Sequence, residues 1–205
     1  MRLKMKVIFI SGPSGSGKTT LSRQILEKFK NGVVLSTDNY YKTDLLSKII
    51  SIFVKGYFDR SISFNYKLFK KDFKFIIKNG ISIHKRSYNF KKKTIKNLLN
   101  EIYNIKFIIV EGIFAKNFAT TIYNQKIYLL ELKTDKNVCM TRVIKRDIKE
   151  RGKEKKQAEN DFLKSWDIYY EKFKNKSIRK NTTNFIITKN TNVNNILNKI
   201  FNLKP

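Results

Sequence analysis

Apolar and polar positions follow two different periods along this chain. Short, mostly apolar runs at 7–10, 33–35, 106–112 and 127–132 are too continuous for half-exposed strands, and predict strands buried on both faces. Between them the apolar residues recur at helical spacing. Leu21, Ile25, Leu26 and Phe29 mark a helix over 19–30, closed by the Asn31-Gly32 stop signal. Phe69, Phe73, Ile76 and Ile77 form the core stripe of a second over 66–78. Further helices are predicted over 45–54, where Gly56 breaks the pattern, over 138–150, closed by Gly152, and over 193–201. Ala158, Phe162, Trp166, Tyr169 and Phe173 lie on one helical face and read as packing, not as a base-stacking platform. Residues 185–187 supply a last strand, and 81–83 with 87–90 alternate like the arms of a small hairpin off the main sheet. The alternation predicts an α/β fold, a mostly parallel sheet flanked by helices, in one domain spanning 1–205.

Composition adds a charge to this picture. The net charge of +28 would ordinarily suggest nucleic acid or an acidic membrane as a partner. Lysine is spread along the chain together with abundant Asn, Ile, Phe and Tyr, residues that share A/T-rich codons. Genome bias therefore accounts for the charge, and no specific nucleic-acid partner is expected, although a positive field would still attract anionic nucleotides. The single cysteine, Cys139, excludes an intramolecular disulfide and reads as a small buried hydrophobe. No run approaches the ~20 apolar residues of a membrane span. The basic and then apolar start, MRLKMKVIFI, is too short in its apolar part for a signal peptide, so a cytoplasmic location and no membrane partner are expected. A homo-oligomer is compatible with all of this.

The chemistry begins where the first strand ends. Gly12-Pro13-Ser14-Gly15-Ser16-Gly17-Lys18-Thr19, followed by Thr20, is a G-x-x-x-x-G-K-[ST] loop between a strand and a helix. Its glycines let successive backbone N–H groups converge on phosphate oxygens, and the helix start adds its dipole. Lys18 supplies a cation for the β- and γ-phosphates, and the Thr19 hydroxyl is placed to ligate Mg²⁺. The loop predicts a bound nucleoside triphosphate. The strand at 33–35 delivers Asp38 to the carboxyl edge of the sheet, where ligands bind in open parallel sheets, making it a candidate general base. Glu111 ends the central apolar run and can hold the Mg²⁺ shell. Arg142, Lys145, Arg146 and Arg151 form a charge run that could clamp phosphates as a lid. The lone His84 has no identifiable partner and reads as surface or structural.

GPSGSGKTT, STDNYYK, YFDRSISF, RSYNF, IIVEGIFA and KRDIKERG occur here in the order found in uridine kinases, and the chain resembles that family from about 7 to about 187. The family belongs to the wider uridine kinase and phosphoribulokinase group. The resemblance implies a P-loop kinase fold, an acceptor-binding insertion at about 55–95 and a lid at about 146–160. It implies transfer of the γ-phosphoryl of ATP to the 5′-hydroxyl of uridine or cytidine, with Mg²⁺, in pyrimidine salvage. On the matching positions, Asp38 is the base and Tyr41 lines the nucleoside site. Asp59 holds the ribose hydroxyls with Phe58 beside it. Tyr88 and Phe90 pack the pyrimidine, and Ile113 closes that pocket. Glu111 stands near Mg²⁺, and Arg146 and Arg151 meet the phosphates.

The acceptor side departs from the family pattern. Phe58-Asp59-Arg60-Ser61-Ile62-Ser63-Phe64-Asn65 replaces the usual FDHP.AFD, and Lys93 stands where a base-contacting histidine is usual. Val143 replaces an arginine, with Arg142 one place off, and Lys153 replaces another, without an arginine's bidentate fork. A kinase for another small hydroxyl acceptor, or a nucleotide-binding protein without turnover, are the alternative readings. Retention of Lys18, Thr19, Asp38 and Glu111 argues against the second, since binding alone needs no base.

Overall fold

The structure, a computed structural model, describes residues 5–44, 61–90, 92–172 and 180–203. Five parallel strands form the main sheet: β1 (Lys6–Ser11), β2 (Gly32–Ser36), β5 (Phe107–Glu111), β6 (Ile127–Leu132) and β7 (Thr182–Ile187), in the order β2-β5-β1-β6-β7. A two-stranded antiparallel hairpin, β3 (Ser82–Asn89) with β4 (Thr94–Ile102), stands apart from it. The helices are α1 (Lys18–Phe29), α2 (Tyr66–Asn79), α3 (Ala115–Ala119), α4 (Lys136–Arg151), α5 (Lys155–Lys172) and α6 (Val193–Phe201).

Burial on both faces explains the unbroken apolar runs. Val7 and Phe9 of β1 enter one core layer with Ile108, Val110, Phe69 and Phe118, while Ile8 and Ile10 enter the opposite layer with Ile25, Ile109 and Leu197. Helices close both layers. Each fully buried large side chain here contributes about 1.5–3 kcal/mol relative to exposure, so the register of β1 is fixed by its packing and not by turn chemistry.

The predicted hairpin needs correction. The strands at 81–83 and 87–90 are one strand, β3, and its partner is β4, which the apolar pattern did not reveal. The physical reason is exposure. Most of β4 is solvent-facing, with Leu98 and Leu99 among the exposed residues, so no buried face imposes alternation on it. The last strand begins three residues earlier than 185, and the short helix α3 was also unforeseen. The helix expected over 45–54 lies outside the described residues, as do Phe58 and Asp59.

No helix among the described residues is long and apolar enough to cross a membrane.

Candidate active site

The carboxyl ends of β1, β2 and β5 open into one cleft of about 1930 Å³. The described residues predicted for the site and its lid line it, except Gly12 and Ser16, which are buried in the loop, and Lys145, which is exposed on α4. Phe58 and Asp59 lie outside the described residues.

The loop after β1 is braced from within. Lys18 Nζ donates to the Pro13 carbonyl at 2.8 Å, and Thr134 Oγ1 donates to the Ser16 carbonyl at 3.1 Å. Gly15 sits at φ 79°, and a Cβ there would stand 2.5 Å from the Cys139 carbonyl, so only glycine permits this approach of loop to α4. Cys139 itself is fully buried. Burial lowers the Lys18 pKa below the ordinary lysine range, against the opposing pull of Glu111 and then Asp38. The hydroxyl of Ser16 is buried with no hydrogen-bond partner, an orphan donor inside a phosphate-type loop.

Asp38 occupies the turn Thr37–Tyr40 that follows β2. Desolvation, and then the neighbouring Glu111 carboxylate, push its pKa up to about 6, while Lys18, Arg151 and Arg146 pull the other way. Glu111 ends β5 and accepts a 3.3 Å hydrogen bond from Thr19 Oγ1. A carboxylate poised near neutrality beside a lysine and a second carboxylate can exchange a proton with a hydroxyl.

On the hairpin side, Tyr41 stacks on Phe64 at 4.5 Å between ring centroids and meets Tyr88 at 4.9 Å. Tyr88 in turn meets Phe90 edge-on at 5.0 Å. Desolvation, then Asp38, push the Tyr88 hydroxyl up to about 12, so it stays protonated and able to donate. Lys93 faces the same space from the hairpin turn, and Ile113 bounds it after β5. His84, on β3, does not line the cleft.

The far wall is cationic. Asp147, 2% exposed, gathers three cations: Arg146 Nη2 at 2.7 Å, Lys153 Nζ at 3.1 Å and Arg151 Nη1 at 3.2 Å. Burial would raise this carboxyl, but Arg146 and then Arg151 outweigh it and hold the pKa below the usual carboxylate range. The Arg151 guanidinium also lies 3.9 Å over the Phe90 ring, joining α4 to the hairpin. Arg142, out of register with the expected arginine, reaches the Gly15 carbonyl at 3.2 Å, and Val143 is buried beneath the loop. Asp147 was missed from sequence because an acid within a basic helix reads as ordinary surface pairing. Its position four residues before Arg151 was the available signal.

Comparison with known proteins bears on the family and the fold. The model of the Phosphoribulokinase / Uridine kinase family matches residues 7–196. The uridine kinase of Borrelia hermsii is 32% identical over 171 residues, covering 82% of this chain and 80% of that protein. The uridine kinase of Leuconostoc citreum is 31% identical over 179 residues, covering 84% and 83%. Among solved structures, D-glycerate 3-kinase from Cryptococcus neoformans superposes with a TM-score of 0.60 at 14% identity, covering 90% of this chain and 86% of that one, a likeness of fold.

Proposed function

The chain belongs to the phosphoribulokinase / uridine kinase family of P-loop kinases, and we propose that it transfers the γ-phosphoryl of ATP to the 5′-hydroxyl of uridine, and less readily of cytidine. The observation that carries this reading is the meeting, in one cleft, of the phosphate loop, the raised-pKa Asp38 and the Tyr88–Phe90 pair.

In this reading the loop amides and Lys18 hold the β- and γ-phosphates. Asp38 accepts the proton of the 5′-hydroxyl as that oxygen attacks phosphorus. Arg146 and Arg151 neutralise charge on the transferring group. Phosphoryl transfer asks for little beyond such positioning and charge neutralisation. The Thr19 hydroxyl, in the first turn of α1, and the Glu111 carboxylate, at the end of β5, are hard oxygen donors side by side, a set that fits Mg²⁺, which completes its shell with water and phosphate. When bound, the ion would neutralise phosphate charge. Tyr41, Tyr88, Phe90 and Ile113 enclose the base, Lys93 reaches toward its carbonyl edge, and Asp59 with Phe58 is assigned to the ribose by sequence position.

A second reading, another small hydroxyl acceptor, is favoured by one observation: Arg151 covers a face of Phe90 that a base would otherwise use. A panel of ribonucleosides, deoxynucleosides and small polyols, assayed with ATP and Mg²⁺ for phosphorylated product, decides between them. Uridine 5′-monophosphate as the leading product supports the first reading, and phosphorylation confined to a non-nucleoside overturns it.

A further inference from the structure

The loop that carries Asp38 is tied to the hairpin by a network that lies outside the cleft. Tyr40, two residues beyond Asp38, is 2% exposed, and its hydroxyl donates to Asp72 Oδ2 at 3.2 Å. The same oxygen accepts Arg86 Nε at 2.8 Å, and Asp72 Oδ1 accepts Arg86 Nη2 at 3.3 Å, a bidentate fork. Asp72 belongs to α2, and Arg86 belongs to β3, two residues before Tyr88. The neighbours of Tyr40 reinforce the tie. Asn39 Oδ1 accepts the Tyr88 backbone N–H at 2.9 Å, and the Tyr41 ring meets that of Tyr88.

Packing alone does not account for this arrangement. The Tyr40 ring already packs edge-on to Phe69 at 5.3 Å and against Phe118, contacts a phenylalanine would make equally well. A largely desolvated ion pair is weak evidence for stability, because losing hydration offsets much of its attraction. The added hydroxyl and the paired carboxylate instead fix one orientation of the turn, since their directional bonds are met in a single geometry. Arg86 moves with the strand that presents Tyr88 to the cleft, and Tyr40 moves with the peptide that presents Asp38.

We propose that Asp72 is a positioning residue that locks the Asp38 turn to the acceptor hairpin, so that an acceptor settling on Tyr88 and Phe90 sets the carboxylate that takes its proton. This rests on the reading of Asp38 as the base.

The test uses Tyr40→Phe, which keeps every ring contact and the Asp72–Arg86 pair, together with Asp72→Asn. In Tyr40→Phe, kcat should fall about tenfold, the size of one hydrogen bond to a charged group, with the KM for ATP unchanged. Amide hydrogen exchange should rise in residues 37–41, and uridine should protect those amides in the parent protein but not in the variant. Asp72→Asn should show the same pattern, enlarged, with 82–89 also exchanging faster. A Tyr40→Phe protein with parental kcat and parental exchange in 37–41 overturns the proposal, as does a loss of melting temperature alone. If the parent phosphorylates no nucleoside, the uridine kinase reading fails, while exchange in 37–41 and 82–89 still decides whether the two elements are locked.

Discussion

Thr19 and Glu111 stand 92 residues apart in the chain, yet the threonine hydroxyl donates to the carboxylate at 3.3 Å. Parallel pairing of β1 with β5 brings this about, because Ile10 lies opposite Glu111 and delivers the loop beside it. Glu111→Gln should therefore leave the fold intact and raise the Mg²⁺ concentration needed for half-maximal activity by roughly tenfold. Titration of activity against Mg²⁺ at fixed ATP checks this. An unchanged requirement removes Glu111 from the metal site.

The Asp38 pKa, raised to about 6, fixes a sign. In the proposed role of general base Asp38 works ionised, so kcat/KM should fall as pH drops through about 6 and be retained above it. Glu111→Gln removes one of the causes of the raised value and should move that limb to lower pH. Stability runs the other way. A carboxyl whose folded pKa exceeds its ordinary value of 3.8 contributes stability that is present below 3.8 and lost as pH rises through about 6. Asp38→Asn should then lower kcat by roughly 10²–10⁴-fold, yet raise Tm at pH 8 while leaving it unchanged at pH 4. A variant that lost Tm at both pH values would make Asp38 a structural residue.

The main sheet was legible because strands buried on both faces have no choice but continuous apolar runs, as in 107–111, where every residue is buried. The phosphate loop was legible because its backbone geometry demands glycine at fixed places, Gly17 at φ 99° among them. The acceptor side was harder to read. An exposed strand such as β4 carries no pattern imposed by a core. The Asp147 cluster and the Tyr40–Asp72–Arg86 network are made by tertiary approach of side chains whose spacing in sequence follows no local rule. Arg142 shows the same limit. One helical position out of register, it still reaches the loop because the side chain is long enough to bend back onto the Gly15 carbonyl.

Arg151 is held by Asp147 and by the Phe90 ring, and its side chain is 21% exposed. In Arg151→Ala, Arg146 and Lys153 still neutralise Asp147, so the loss of stability should stay well below the roughly 3–5 kcal/mol of leaving a buried charge uncompensated. Removing a cation from the phosphates should lower kcat by roughly 10²–10³-fold. Melting temperature and kcat measured on one preparation separate the two effects. A large loss of Tm with near-parental kcat would make this arginine a strut between α4 and the hairpin.

The last prediction concerns the base. Lys93 stands at φ 50° in the turn between β3 and β4 and lines the cleft beside Tyr88 and Phe90. Its ammonium only donates, so under the proposed function it should favour the carbonyl-rich edge of uracil over cytosine, whose amino group offers a donor in return. A flexible stem limits what that preference is worth, because immobilising it offsets part of the bond. Uridine should exceed cytidine in kcat/KM by about tenfold at most, the scale of one charge-assisted hydrogen bond. Lys93→Met, which keeps the stem and removes the donors, should bring the two nucleosides level with the KM for ATP unchanged. If Lys93→Met left the ratio where it was, base selection would rest on the aromatic pocket alone.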